Sequence, residues 1–182
     1  MRSLTNRAAQ LLPLFLIAAF TITTPAPVQA SVPEIAAVDI PNFAQVDENL
    51  FRGGMPSEHG LAELKEAGVK TIVSLANEKK FTDTERKAAE KLGMNFIFIP
   101  LSAWRGPHQN DIDAFLSVMD NKDNGRIFVH CRHGQDRTGA MIAMYRMEHD
   151  GWSEKRAYDE MLDNGFHKVF FRMADRVKDF RN

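Results

Sequence analysis

The residues best equipped for chemistry lie in one short run, His130-Cys131-Arg132-His133-Gly134-Gln135-Asp136-Arg137-Thr138, and Cys131 is the single cysteine of the 182-residue chain. A thiol becomes a strong nucleophile once ionised. An arginine six positions on can offer a planar fork of donors to two oxygens of one phosphate. Between them, the main-chain N–H groups of Arg132, His133, Gly134 and Gln135 can turn inward around an anion. A helix beginning near Arg137 would add the positive end of its dipole. Gly134 stands mid-loop, where a positive φ or a close backbone approach is required. The same electropositive nest favours the thiolate of Cys131, and Thr138 is placed to donate its hydroxyl to the departing sulfur. The implied reaction has two steps: the thiolate attacks phosphorus, and water then releases the cysteinyl-phosphate. It requires no metal and no other cofactor. Two competing readings are a buried core thiol, the commonest fate of a free cysteine, and a phosphate-binding module without catalysis.

Such a loop needs a strand to deliver the thiol and a helix to receive the chain. Arg126 to His130 is a short apolar strand, and 138–149 carries a helical pattern. Upstream, 50–52, 69–75 and 95–99 read as strands, the last as a buried one. Helices are predicted from Ser57 to Ala67, from Thr82 or Asp83 to Leu92, and from Asn110 or Asp111 to about Met119. Ser153 caps a further helix to about Leu162, and a last one covers 168–180. This alternation predicts an α/β domain with a central, mostly parallel sheet flanked by helices over residues 49–182, after a loosely structured lead-in at 31–48. Ligands of open α/β sheets bind at the carboxyl ends of strands, where Cys131 falls.

The run 130–138 resembles the phosphate-binding loop of the protein tyrosine phosphatase superfamily, His-Cys-x5-Arg-Thr/Ser. The compact chain is similar to its dual-specificity branch, with the similarity covering residues 45–165. Leu50-Phe51-Arg52-Gly53-Gly54-Met55-Pro56 is similar to the Tyr/Phe-Arg-Ser/Gly-x-x-Pro entry of small bacterial, fungal and plant members. The resemblance implies the protein tyrosine phosphatase fold, Cys131 as nucleophile and Arg137 as phosphate clamp. It also implies that His130 is a neighbour that tunes the thiol.

One departure stands out. Family members carry an aspartate about 25–30 residues before the cysteine, as general acid for the leaving oxygen. Here that loop, residues 101–108, contains no carboxylate. Three substitutes are in view. Asp136 lies inside the cradle, and its Gln-Asp-Arg-Thr context resembles the myotubularin and Sac phosphatases. Asp111 falls where helix capping is its ordinary use. His108 is the third.

Arg132 and His133, with Arg105 and His108 on the opposing loop and Lys79 and Lys80 nearby, would suit a small polyanionic substrate. Trp104, Pro107 and the run 112–116 are similar to tyrosine-phosphatase-like phytases, which implies inositol polyphosphates. A phosphoprotein is the alternative substrate, read by a slot with aromatic walls for which Trp104 and Phe81 are candidates. Rhodanese-like sulfur transfer also uses a cysteine in an anion loop, but Arg137-Thr138 at this spacing favours phosphate.

Residues 1–30 read as a secretory signal peptide: Arg2 and Arg7, an apolar run from Leu11 to Phe20, then Val28-Gln29-Ala30. Export to the periplasm or beyond is therefore expected, with no stable membrane anchor after cleavage. Residues 31–182 hold 21 Lys and Arg against 24 Asp and Glu, net −3. That balance argues against a nucleic-acid partner.

Overall fold

A computed structural model describes residues 39–181; the expected signal peptide and the first part of the lead-in lie outside the described residues. Among these residues five strands form one sheet: β1 (Ala44–Gln45), β2 (Leu50–Gly53), β3 (Val69–Ser74), β4 (Asn95–Phe98) and β5 (Arg126–His130). Their spatial order is β1-β2-β5-β3-β4. Only β1 runs antiparallel; the other pairings are parallel. The expected mostly parallel α/β sheet is therefore present, and β5 stands at its centre.

Six helices among the described residues cover it: α1 (Glu58–Glu66), α2 (Lys79–Lys91), α3 (Gln109–Asp120), α4 (Asp136–His149), α5 (Glu154–Asp163) and α6 (Phe171–Lys178). The period-2 alternation of the strands sorts their side chains into two cores. Leu50, Val73, Ile127 and Val129 pack with α3 to α6, around Phe115, Met141 and Met144. Phe51, Ile72 and Phe128 pack with α1 and α2, around Leu61, Leu64 and Ala89. Phe115 and Phe128 are fully buried, and burying a side chain of that kind contributes roughly 1.5–3 kcal/mol.

Four elements differ from expectation. The lead-in contributes β1, which pairs Ala44 with Arg52 and Gln45 with Phe51. Helix α2 begins at Lys79, before the expected caps. Thr82 spends its hydroxyl on the Glu78 carbonyl one turn back, and Asp83 pairs with Lys79, so both are consumed inside the helix. Strand β4 is an edge strand with exposed or half-buried residues; its apolar run mimics a buried strand because Phe96 and Ile97 face opposite ways, one toward each core, from a position with one neighbour. Helix α3 starts at Gln109, with Asp111 closing its first turn by accepting the His108 N–H at 2.8 Å. Among the described residues no helix is long and apolar enough to cross a membrane.

Candidate active site

Strand β5 ends at His130, and the next residue, Cys131, is 2% exposed at the base of a pocket of about 290 Å³. The loop 131–135 curls over it before α4 begins at Asp136. Three successive carbonyls of this loop are held from behind. Met55 N–H donates to Arg132 O at 3.2 Å, Asn42 Nδ2 to His133 O at 2.8 Å, and Arg52 Nη2 to Gly134 O at 2.8 Å. Carbonyls drawn outward leave the alternate side of each peptide, the N–H, facing the pocket. Gly134 adopts φ +78°, and a Cβ there would stand 2.4 Å from Gly53 C and 2.5 Å from Gly54 N. Only glycine fits, because the cradle's backbone rests directly on the Gly53-Gly54 backbone at the end of β2.

Arg137, 8% exposed, reaches across the pocket in the first turn of α4. Its Nη1 donates to Asn77 Oδ1 at 2.8 Å and lies 3.4 Å from Glu78 Oε2. Both partners follow β3, the neighbour of β5, so parallel pairing brings them to the same sheet edge. Burial pushes the Glu78 carboxyl up. The Arg137 guanidinium and the hydrogen bonds it receives more than offset this, leaving it below its ordinary value. The fork is thereby oriented while the rest of the guanidinium stays available to an anion.

His130 is fully buried behind the thiol. Its Nδ1 lies 3.2 Å from the Cys131 carbonyl, and Glu85 Oε1 of α2 stands 2.8 Å from its Nε2, off the line of a hydrogen bond. Thr138 is buried with its hydroxyl unpartnered, so the expected bond to the sulfur is not formed in this structure. Asp136 is 9% exposed and lines the pocket, but its carboxylate turns to a residue that sequence reasoning missed. Oδ1 accepts the His167 N–H at 2.8 Å and lies 3.0 Å from His167 Nδ1; Oδ2 is 3.3 Å from the same nitrogen.

These observations describe a pre-shaped anion cradle around a thiol. A family model described as "DSP-PTPase phosphatase fused to NAD+ Kinase" matches residues 28–178. The chain belongs to this phosphatase family. Among curated proteins it is 29% identical over 143 residues to the dual specificity protein phosphatase TpbA of Pseudomonas aeruginosa, covering 79% of this chain and 61% of that one. It is 27% identical over 123 residues to the inositol diphosphatase DSP4 of Arabidopsis thaliana, covering 65% and 61%. It thus spans about three fifths of the length of both relatives. Among solved structures, P. aeruginosa TpbA superposes with TM-score 0.65 at 24% identity over 76% of this chain and 84% of that one. The core catalytic domain of the PP-IP phosphatase SIW14 from S. cerevisiae gives 0.68 at 23% identity over 76% and 86%. At those identities the likeness supports the fold.

The loop at 101–108, where the resemblance implied an acid, carries no carboxylate. Residues 102–104, beyond β4, form one wall, with Trp104 64% exposed and its ring edge-on to Phe170 at 4.8 Å. Helix α6 clasps the remainder. Gly106 packs on the Arg172 carbonyl, while Arg176 donates to Pro107 O and Gln109 Oε1. Arg105 and His108 are exposed and outside the pocket lining, and half-buried Asp111 is outside it too. Arg132 and His133 do reach the mouth, and Arg132 lies 5.8 Å over the Phe81 ring. Gln135, expected to line the site, instead packs against Gly165 at the start of α4. The lining also gains Asn77, Glu78 and Phe170, none of which carries a motif. Phe170 arrives from a segment some forty residues beyond Cys131, visible only once α5 and α6 fold back.

Proposed function

We propose that this chain hydrolyses phosphate monoesters through a cysteinyl-phosphate intermediate, with Cys131 as nucleophile and Arg137 as clamp. The observation that carries this reading is the cradle: three carbonyls tied outward around a thiol at the end of the central strand. In the first step the thiolate displaces the alcohol or phenol from phosphorus, and that oxygen leaves with a proton. In the second, water attacks the thiophosphate, the thiolate departs, and the proton acceptor takes the proton of water. The cradle N–H groups and Arg137 stabilise the equatorial charge of both transition states.

Of the three candidate acids, Asp136 is the one that lines the pocket, and we assign it the proton. Its Oδ2 is the less engaged oxygen. Asp136→Asn is expected to lower kcat on an alkyl phosphate by about 10²–10³-fold and on a nitrophenyl phosphate only a few-fold, since a good leaving group needs no proton. Equal loss on both would assign Asp136 to structure.

For the substrate, the lining favours a phosphotyrosine-like aryl monophosphate. Trp104 and Phe170 wall the slot, and the cations Arg132 and Arg137 are balanced by the carboxylates Glu78 and Asp136. So balanced a pocket gains little from several extra phosphates. Inositol polyphosphates are the second reading, supported by exposed Arg132 and His133 at the mouth and by the names of DSP4 and SIW14. A panel of phosphotyrosyl peptides against phytate decides between them. The expected result is a kcat/KM at least about tenfold higher for the peptides, a difference one well-matched subsite supplies. Preference for phytate would reverse the assignment, and absence of turnover on every monoester would leave a binding module.

A further inference from the structure

Arg52 is 2% exposed, on β2 directly behind the cradle. It is wedged between the loop and the first turn of α4: Nη2 bonds Gly134 O, and a Cβ on Gly139 would come within 3.7 Å of that same nitrogen. Its Nε and Nη1 find no acceptor among the described residues. A guanidinium stays ionised in proteins, and burying one without a paired carboxylate is costly. The acid that faces it from α5, Glu160, is already bound by Arg146 through Nε and Nη2.

Arg132 O and His133 O are held by a main-chain N–H and an Asn amide, both neutral. If Gly134 O needed only a hydrogen bond, a neutral donor would suffice there too. Instead the fold places a full positive charge behind the thiol, with two donors idle. Arg52 stands opposite Val129 in the parallel β2–β5 register, and Val129 and Cys131 belong to the same core, so the guanidinium and the sulfur lie on one face of the sheet on adjacent strands; burial pulls the guanidinium below its ordinary value, and Glu160 and Cys131 act against that pull.

We propose that Arg52 is a positioning residue whose charge, acting from behind the cradle, holds the Cys131 sulfur as the thiolate and complements Arg137 on the open side. This rests on the reading of Cys131 as nucleophile. It gives a role to the Phe-Arg-Gly-Gly entry at 51–54: the glycines make room for the cradle and the arginine charges it.

The test uses the full chain with Arg52→Gln, which keeps a donor but no charge, and Arg52→Lys, which keeps the charge. The readout is the rate of Cys131 alkylation by iodoacetamide at pH 6 and pH 9, alongside kcat on nitrophenyl phosphate. A thiolate-stabilising charge is worth about tenfold in reactivity below the ordinary thiol range and nothing above it. The wild type should therefore alkylate readily at pH 6. Arg52→Gln should be about tenfold slower at pH 6 and unchanged at pH 9, and Arg52→Lys should stay within about threefold of wild type at both. Arg52→Met repeats the uncharged comparison should the Gln variant fold poorly. Fast alkylation at pH 6 that survives the uncharged substitutions, or a loss equal at both pH values, overturns the role of Arg52 alone. Slow alkylation of the wild type at pH 6 overturns it together with the nucleophile reading.

Discussion

Cys131→Ser is expected to lower kcat on an aryl phosphate by on the order of 10⁴–10⁶-fold, the loss seen when a catalytic nucleophile is removed while binding groups remain. The serine hydroxyl replaces the sulfur at the base of the cradle with little change of volume. A hydroxyl, however, is almost wholly protonated at neutral pH, and among the described residues none makes a hydrogen bond to the side chain at 131 that would take its proton. Asp136 faces His167, and His130 lies behind the strand with its Nδ1 at the Cys131 carbonyl. The cradle itself does not depend on the sulfur, because its three carbonyl ties and the Gly134 packing involve other atoms. Inorganic phosphate should therefore bind the variant within about threefold of wild type, since it uses contacts that the substitution leaves in place. Isothermal titration with phosphate beside a steady-state assay checks both halves. Turnover that persists in Cys131→Ser would remove the thiol from the mechanism.

Arg137→Lys is expected to lower kcat/KM by roughly 10³-fold, more than the loss of one neutral donor. The guanidinium is nine-tenths buried and oriented by Asn77 and Glu78, with its planar fork set across the pocket. An ammonium carries the same charge as a point, cannot address two oxygens at once, and is drawn toward the Glu78 carboxylate. Because bidentate contact tightens as charge spreads over the equatorial oxygens, most of the loss should fall on kcat. Steady-state kinetics with a nitrophenyl phosphate separates the two parameters. A loss confined to KM would mean that Arg137 only binds substrate.

The reading from sequence worked where local chemistry dictates local structure. Ser57 and Ser153 cap α1 and α5, accepting from the N–H groups of Gly60 and Arg156. The strand before Cys131 and the helix after it form as the pattern predicts, and Gly134 takes the positive φ that its place in the loop implied. What stayed hidden depends on long-range return of the chain. Asn77 and Glu78 look like an ordinary polar loop; they become Arg137's partners only because β3 pairs with β5. His167 and Phe170 meet the site through the fold-back of α5 and α6, at sequence distances no motif spans. Position along the chain brings several cations near the mouth, whereas membership of the lining depends on direction. Gly106 and Arg176 turn the second half of the 101–108 loop toward α6, and Arg105 and His108 go with it. Arg52 was visible as part of a motif, but its burial and idle donors were not.

Trapping the covalent intermediate tests the central claim most directly. Wild-type protein is mixed with an excess of nitrophenyl phosphate, quenched in acid within the first turnover, digested and analysed by mass spectrometry. Phosphate on the peptide carrying Cys131, absent from Cys131→Ser treated in the same way, is the result this account predicts. Turnover with no phosphorylated Cys131, or with the phosphate on another residue, would contradict it.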